Sequence, residues 1–111
     1  MKEQAEYASF QALDIRVGRI VKVEEAETRK PTYRMTVDFG EEVGLKVSCG
    51  ALTNYPKEEL EGRQVIGIVN FPALKMGPER SEVLILGAPN EDGATIHLKP
   101  ESDVPLGALV F

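Results

Sequence analysis

Polar and apolar residues alternate along much of this chain, and the period changes where one element gives way to another. In "TYRMTVDFG", Tyr33, Met35, Val37 and Phe39 fall on one side of an extended strand, with Arg34, Thr36 and Asp38 on the other. "DIRVGRIVKVEEAE" has the same period. Ile15, Val17, Val21 and Val23 share one phase, Arg16, Lys22 and Glu24 take the other, and Gly18 sits where a coiled strand can bend. After a "GEEVG" turn, Leu45, Val47 and Cys49 alternate with Lys46 and Ser48. Tyr7, Phe10 and Leu13 recur three apart, which predicts a helical turn or two ahead of the first strand.

A different pattern begins at "NYPKEELEG", where Pro56 can open a short helix, acids fill its first turn and Gly62 follows its end. "RQVIGIVNF" and "SEVLILG" are almost continuously apolar and predict strands covered on both faces. "APNEDGA" reads as a turn, "TIHLKP" as a short strand and "VPLGALVF" as a last extended segment. Three strands, a short helix and then further strands predict an all-β OB-fold, a five-stranded Greek-key barrel with its helix between strands 3 and 4. A chain of 111 residues supports one such domain, residues 1–111. The N-terminal turn and "VPLGALVF" are surplus to five strands, and their apolar residues predict extensions used for dimerisation.

Composition narrows the function. The apolar fraction of 42% is that of a folded protein, and no apolar run approaches the ~18–20 residues of a membrane span. "MKEQAEYASF" has two glutamates and no long apolar stretch, so no secretion signal is expected. With Cys49 alone, no internal disulfide forms, which fits a reducing cytoplasm. One histidine, His97, in a strand-like run has no evident partner for nucleophilic chemistry, and His and Cys are too few for a metal site. His97 is expected on a partly exposed strand face and Cys49 as a small buried hydrophobe. No phosphate-cradling glycine motif appears. The expectation is a binding protein, not an enzyme, with no cofactor and no metal.

Net charge is −5, which argues against capture of nucleic acid by bulk attraction, yet a local basic face remains open. The polar phase of strands 2 and 3 offers Arg34, Thr36, Lys46 and Ser48, the loop before them Arg29 and Lys30, and a later loop Lys75 and Arg80. A solvated strand face is the plain alternative. Tyr33 and Phe39 fall in the apolar phase, so bases have no aromatic platform and generic single-strand binding is disfavoured. That later stretch, "NFPALKMGPERSEVLILG" from Asn70 to Gly87, is too irregular for strand or helix and long enough to be functional. Its Phe71, Pro72, Leu74 and Met76 either present an adaptable apolar surface for extended peptides or plug the barrel end.

"LDIRVGRIVKVE", "VDFG", "YPKEELEGRQVIGIVNFP", "GPERSEVLILGA" and "VPLGA" resemble the tRNA-binding-domain family, from Phe10 onward, and within it the CsaA-type export-related chaperones. Ile68-Val69-Asn70-Phe71-Pro72 with Ser81 to Gly87 is the most specific part. The resemblance implies an OB-fold and, for free-standing members, a homodimer. It also implies two activities, tRNA binding and the holding of unfolded or export-destined polypeptides. Ser81-Glu82-Val83-Leu84 departs from the Ser-x-Gly-Met of tRNA binders and favours the chaperone type, while Ser48-Cys49-Gly50 lies nearer the tRNA binders. The leading expectation is a cytoplasmic, homodimeric, CsaA-type holder of polypeptides; the alternative is a tRNA-binding accessory protein. Arg34, Lys46, Ser48, Asn70, Phe71, Lys75, Met76, Arg80, Ser81 and Glu82 are the expected ligand-binding residues.

Overall fold

In the computed structural model, which describes residues 1–111, the sheet is organised by one long strand, β1 (Ile15–Glu25). Its first half pairs antiparallel with β4 (Gln64–Ile68) and its second half with β2 (Tyr33–Asp38). With β3 (Leu45–Gly50) and β7 (Leu84–Ile85) the order is β3-β2-β1-β4-β7. The sheet nearly closes on itself where the Glu82 N–H donates to the Val47 carbonyl at 2.7 Å. The four-residue helix α3 (Lys57–Leu60) lies between the third and fourth barrel strands, the OB arrangement that the strand order predicts. α1 (Tyr7–Gln11) precedes the barrel, and α2 (Gly40–Val43) is one helical turn where the sequence predicts a turn.

The expected phase of β2 is the observed one: Tyr33, Met35, Val37 and Phe39 are all buried in the central cluster, with Ile20, Leu60 and Val65. Phe39 sets a condition on its neighbours. A Cβ on Gly18 would stand 2.7 Å from the Phe39 ring and one on Gly67 3.0 Å from it, so both strands must carry glycine where they pass the ring.

Two phases differ from expectation. Val21 is 47% exposed and Ile20 takes the core position, because β1 slips register against β2 between Ile20 and Lys22. The extra residue of such a bulge turns the strand's alternation over. Upstream of it, Gly18 and Ile20 face the core; Ile15 and Val17, paired with Ile68 and Ile66, are buried on the opposite face. In β3, Ser48 pairs with Met35 and Lys46 with Val37, so those two share the core-facing phase, while Cys49 and Val47 stand beside Arg34 and Thr36. Ser48 is 3% exposed and Leu45 is 61% exposed. The apolar alternation of β3 answers to the segment packed against its outer side, not to the barrel interior.

The stretch read as irregular contains a β-hairpin, β5 (Leu74–Met76) with β6 (Glu79–Ser81). Gly77 has φ +61° and Pro78 follows it, the two-residue turn that needs glycine first. "SEVLILG" is a strand for only Leu84–Ile85. A second hairpin, β8 (Gly87–Pro89) with β9 (Thr95–His97), turns on Asn90, whose Oδ1 accepts from the Asp92 and Ala94 N–H groups. His97 is buried there rather than partly exposed, beside the Tyr55 ring. The last segment is not surplus to the barrel. Ala108 accepts from the Val17 N–H, and the Gly107 and Val110 N–H groups donate to Val17 and Ile15, which straps it along the first half of β1. Gln64 fixes its start by two hydrogen bonds to the Val104 backbone.

Candidate functional site

The residues expected to form one platform are divided among several jobs. Arg34 points outward from β2, but its guanidinium is committed: Nη1 donates to Glu79 at 2.8 and 3.0 Å, and Nε lies 3.4 Å from Glu24. Lys46 and Ser48 occupy the opposite phase from Arg34, so strands 2 and 3 carry no shared basic face of Arg34, Thr36, Lys46 and Ser48. Ser81 and Glu82 join the barrel edges. Ser81 Oγ accepts from the Cys49 N–H at 3.0 Å, and Glu82 Oε1 accepts from the Val47 N–H at 2.9 Å. Asn70 ties the approach to β1, accepting from the Asp14 N–H and donating to the Ala12 carbonyl, each at 2.9 Å.

Two surfaces remain, on opposite sides of the β5–β6 hairpin. Leu74 and Ser81 form one cross-strand pair and line a cavity of about 340 Å³ with Leu52, Phe71, Val83 and Leu84. Its wall is mainly apolar, and Phe71 is 45% exposed at it. Leu52 was not singled out from sequence, because a lone apolar residue after a strand gives no sign of which opening it lines; Leu84 lies in the run expected to be covered on both faces, yet it is half exposed. Met76, expected beside Phe71, instead lines a separate cleft between the hairpin tip and the β1–β2 loop.

The opposite side of the hairpin carries Lys75 paired with Arg80. Both are exposed and neither has an acid within ion-pair distance, whereas Arg16, Arg19, Lys22, Arg34, Lys57 and Arg63 all do. Like charges directly opposed on a ladder destabilise it. Arg29 and Lys30, also without an acid, lie in the loop 26–32, which shares the tip cleft with Met76, Gly77 and Pro78. The fold thus sets Arg29 and Lys30 at the cleft by the hairpin tip and Lys75 and Arg80 along the hairpin strands, two clefts that share Pro78.

Glu79 holds this end together and was missed from sequence. It is 7% exposed and takes the Glu27 N–H at 2.8 Å as well as Arg34. The Glu27 amide, and then Arg34, hold its carboxyl below the ordinary carboxylate range. Glu24 is likewise lowered, first by its bond to Arg34. The signal lay in phase: Glu79 alternates with Arg80, which is informative only once "KMGPER" is recognised as a hairpin. Burial raises the Cys49 thiol and lowers the His97 imidazole.

A family model described as a putative tRNA binding domain matches residues 15–109, the whole barrel and its strap. The chain belongs to the tRNA-binding-domain family. It is 40% identical over 110 residues to a methionine–tRNA ligase of Archaeoglobus fulgidus, covering 98% of this chain and 16% of that protein. This chain therefore spans about one sixth of the ligase's length. Two solved structures are similar over their full length. A CsaA chaperone protein from Picrophilus torridus shares 38% identity with a TM-score of 0.92, covering 97% of this chain and 100% of that one. A chaperone CsaA from Bacillus anthracis shares 35% identity with a TM-score of 0.92, covering 98% and 100%. The family is that of a tRNA-binding module rather than a catalytic domain. No helix is long and apolar enough to cross a membrane.

Proposed function

We propose that this chain is a non-catalytic RNA-binding module of the tRNA-binding type, acting in the cytoplasm through the cationic end of its barrel. The observation that carries this is the Lys75–Arg80 pair, two opposed cations without an acid in ion-pair reach on an acidic protein, with Arg29 and Lys30 lining the cleft at the tip of the same hairpin. A polyanion relieves their repulsion, and phosphates read by four cations require no aromatic platform. Family membership and the likeness to the methionine–tRNA ligase support tRNA as the class of RNA. Filter binding of unfractionated tRNA over a salt series tests it. Affinity should fall by roughly one log unit per log of salt for each phosphate held. Salt-independent retention, or none at low salt, refutes it.

Polypeptide holding, the leading expectation from sequence, is the second reading, and the apolar cavity beside Phe71 favours it. So does the full-length likeness to CsaA chaperones. It stands second because the neighbouring β3 edge, which an extended peptide would pair with, is taken up by Ser81 and Glu82. Suppression of aggregation of a denatured client, removed by Phe71→Ser, would support it.

The module acts as a homodimer in this reading. α1 has five residues, buries none of them, and exposes Tyr7 and Phe10 beside Leu109. A helix that short is not stable alone. A second copy covers it.

A further inference from the structure

Glu79 contrasts with the rest of its hairpin. The other charges on β5 and β6, Lys75 and Arg80, are exposed and cationic, while Glu79 turns toward the barrel and is buried. One of its oxygens takes both the Glu27 N–H and Arg34 Nη1 at 2.8 Å. Glu27 stands at the start of the loop 26–32, and Arg34 lies on the strand that leaves it. A single carboxylate therefore grips both ends of the loop that carries Arg29 and Lys30. It is the only hydrogen-bonded tie between that loop and the hairpin. The loop's other bonds are internal: Ala26 N–H to Thr32, and the Thr28 and Thr32 hydroxyls to the Lys30 carbonyl.

We propose that Glu79 is a positioning residue for RNA binding, latching the β1–β2 loop to the hairpin so that Arg29 and Lys30 meet the same phosphate backbone as Lys75 and Arg80. This rests on the RNA reading above. An acid lining the cleft of Lys75 and Arg80 is otherwise a liability to a polyanion site, because its charge repels the ligand. The latch and the plain charge effect have opposite signs. Removing the charge strengthens RNA binding if Glu79 only repels, and weakens it if Glu79 holds two of the four cations in place.

The experiment is a Glu79→Gln variant of the full chain, titrated with unfractionated tRNA by filter binding over a salt series beside the wild type. The expected result is a severalfold loss of affinity despite the more favourable charge, with the slope of log affinity against log salt falling by about two. Arg29→Ala with Lys30→Ala should then cost much less in the Gln background than in the wild type. If Glu79→Gln melts too early to assay, Glu79→Asp keeps the net charge and withdraws the carboxylate by one methylene, and the same losses are expected. Equal or tighter binding by the folded variant overturns the latch while leaving the RNA reading standing. If the wild type itself holds no tRNA, the RNA reading falls and the latch with it.

Discussion

Lys75 and Arg80 stand directly opposite each other on the β5–β6 hairpin, a pair of like charges with no acid in ion-pair reach. Lys75→Glu turns the pair into an ion pair across the ladder. Thermal unfolding should show stability unchanged or raised, by about 0.2–1 kcal/mol. Binding of tRNA should weaken in the same variant. A protein that loses function while its melting temperature holds or rises marks that pair as a ligand site; a falling melting temperature would mark it as structural.

Phe71 and Met76 belong to different openings, so their substitutions separate. On the polypeptide reading, Phe71→Ser should abolish client holding; on either reading it should spare tRNA binding and cost little stability, since Phe71 is half exposed. Met76→Ser should leave client holding alone. Equal effects of the two changes in an aggregation assay would contradict the division of the surfaces.

Gly18 lies under the Phe39 ring, with Val37 Cγ1 also 2.7 Å from where a Cβ would stand. Neither the ring nor that strand has room to retreat within the packed barrel. Gly18→Ala should destabilise by about 1–3 kcal/mol, read as a lower denaturant midpoint with an unchanged slope. A neutral substitution would mean the barrel is looser than its packing indicates.

His97 gives the chain a pH dependence of known sign. Burial holds its folded pKa below the ordinary value of 6.5 against the opposing pull of the Leu98 carbonyl, with Arg63 and Lys99 adding smaller lowering effects. The unfolded chain therefore binds a proton first as pH falls. Stability is complete above about pH 6.5 and drops as acidification passes below it. His97→Gln should flatten the fall in melting temperature that begins below about pH 6.5. A profile unchanged by the substitution would place the acid sensitivity elsewhere.

The proposed homodimer is tested through α1, because the strap along β1 makes deletion of residues 104–111 a wound to the barrel itself. Tyr7→Glu with Phe10→Glu should shift sedimentation toward the monomer at micromolar protein and make the melting temperature independent of protein concentration. Full-length protein already monomeric at that concentration would refute the homodimer.

The architecture was legible because β2 alternates without interruption and because helix signals fall between the third and fourth strands. Pro56 and Gly62 flank α3 as the composition predicts. What failed were phases and partners. The bulge at Val21 leaves no mark in a run of β-branched residues, since either phase is apolar. β3 was misread because its outer side is also covered, so an apolar residue there does not report the interior. Arg34 looked available because an ion pair to Glu79, 45 residues away, cannot be seen in local spacing. Lys75 and Arg80 were found as charges, but their opposition depends on the Gly77-Pro78 turn.

That turn has a further consequence. A ribbon of two three-residue strands is a partition, with a greasy hollow behind it and a charged exterior in front. Leu74 behind it and Lys75 and Arg80 in front can therefore change independently of one another. One descendant of this sequence can sharpen the exterior and another the hollow, each by changing alternate residues, with the barrel beneath left as it is.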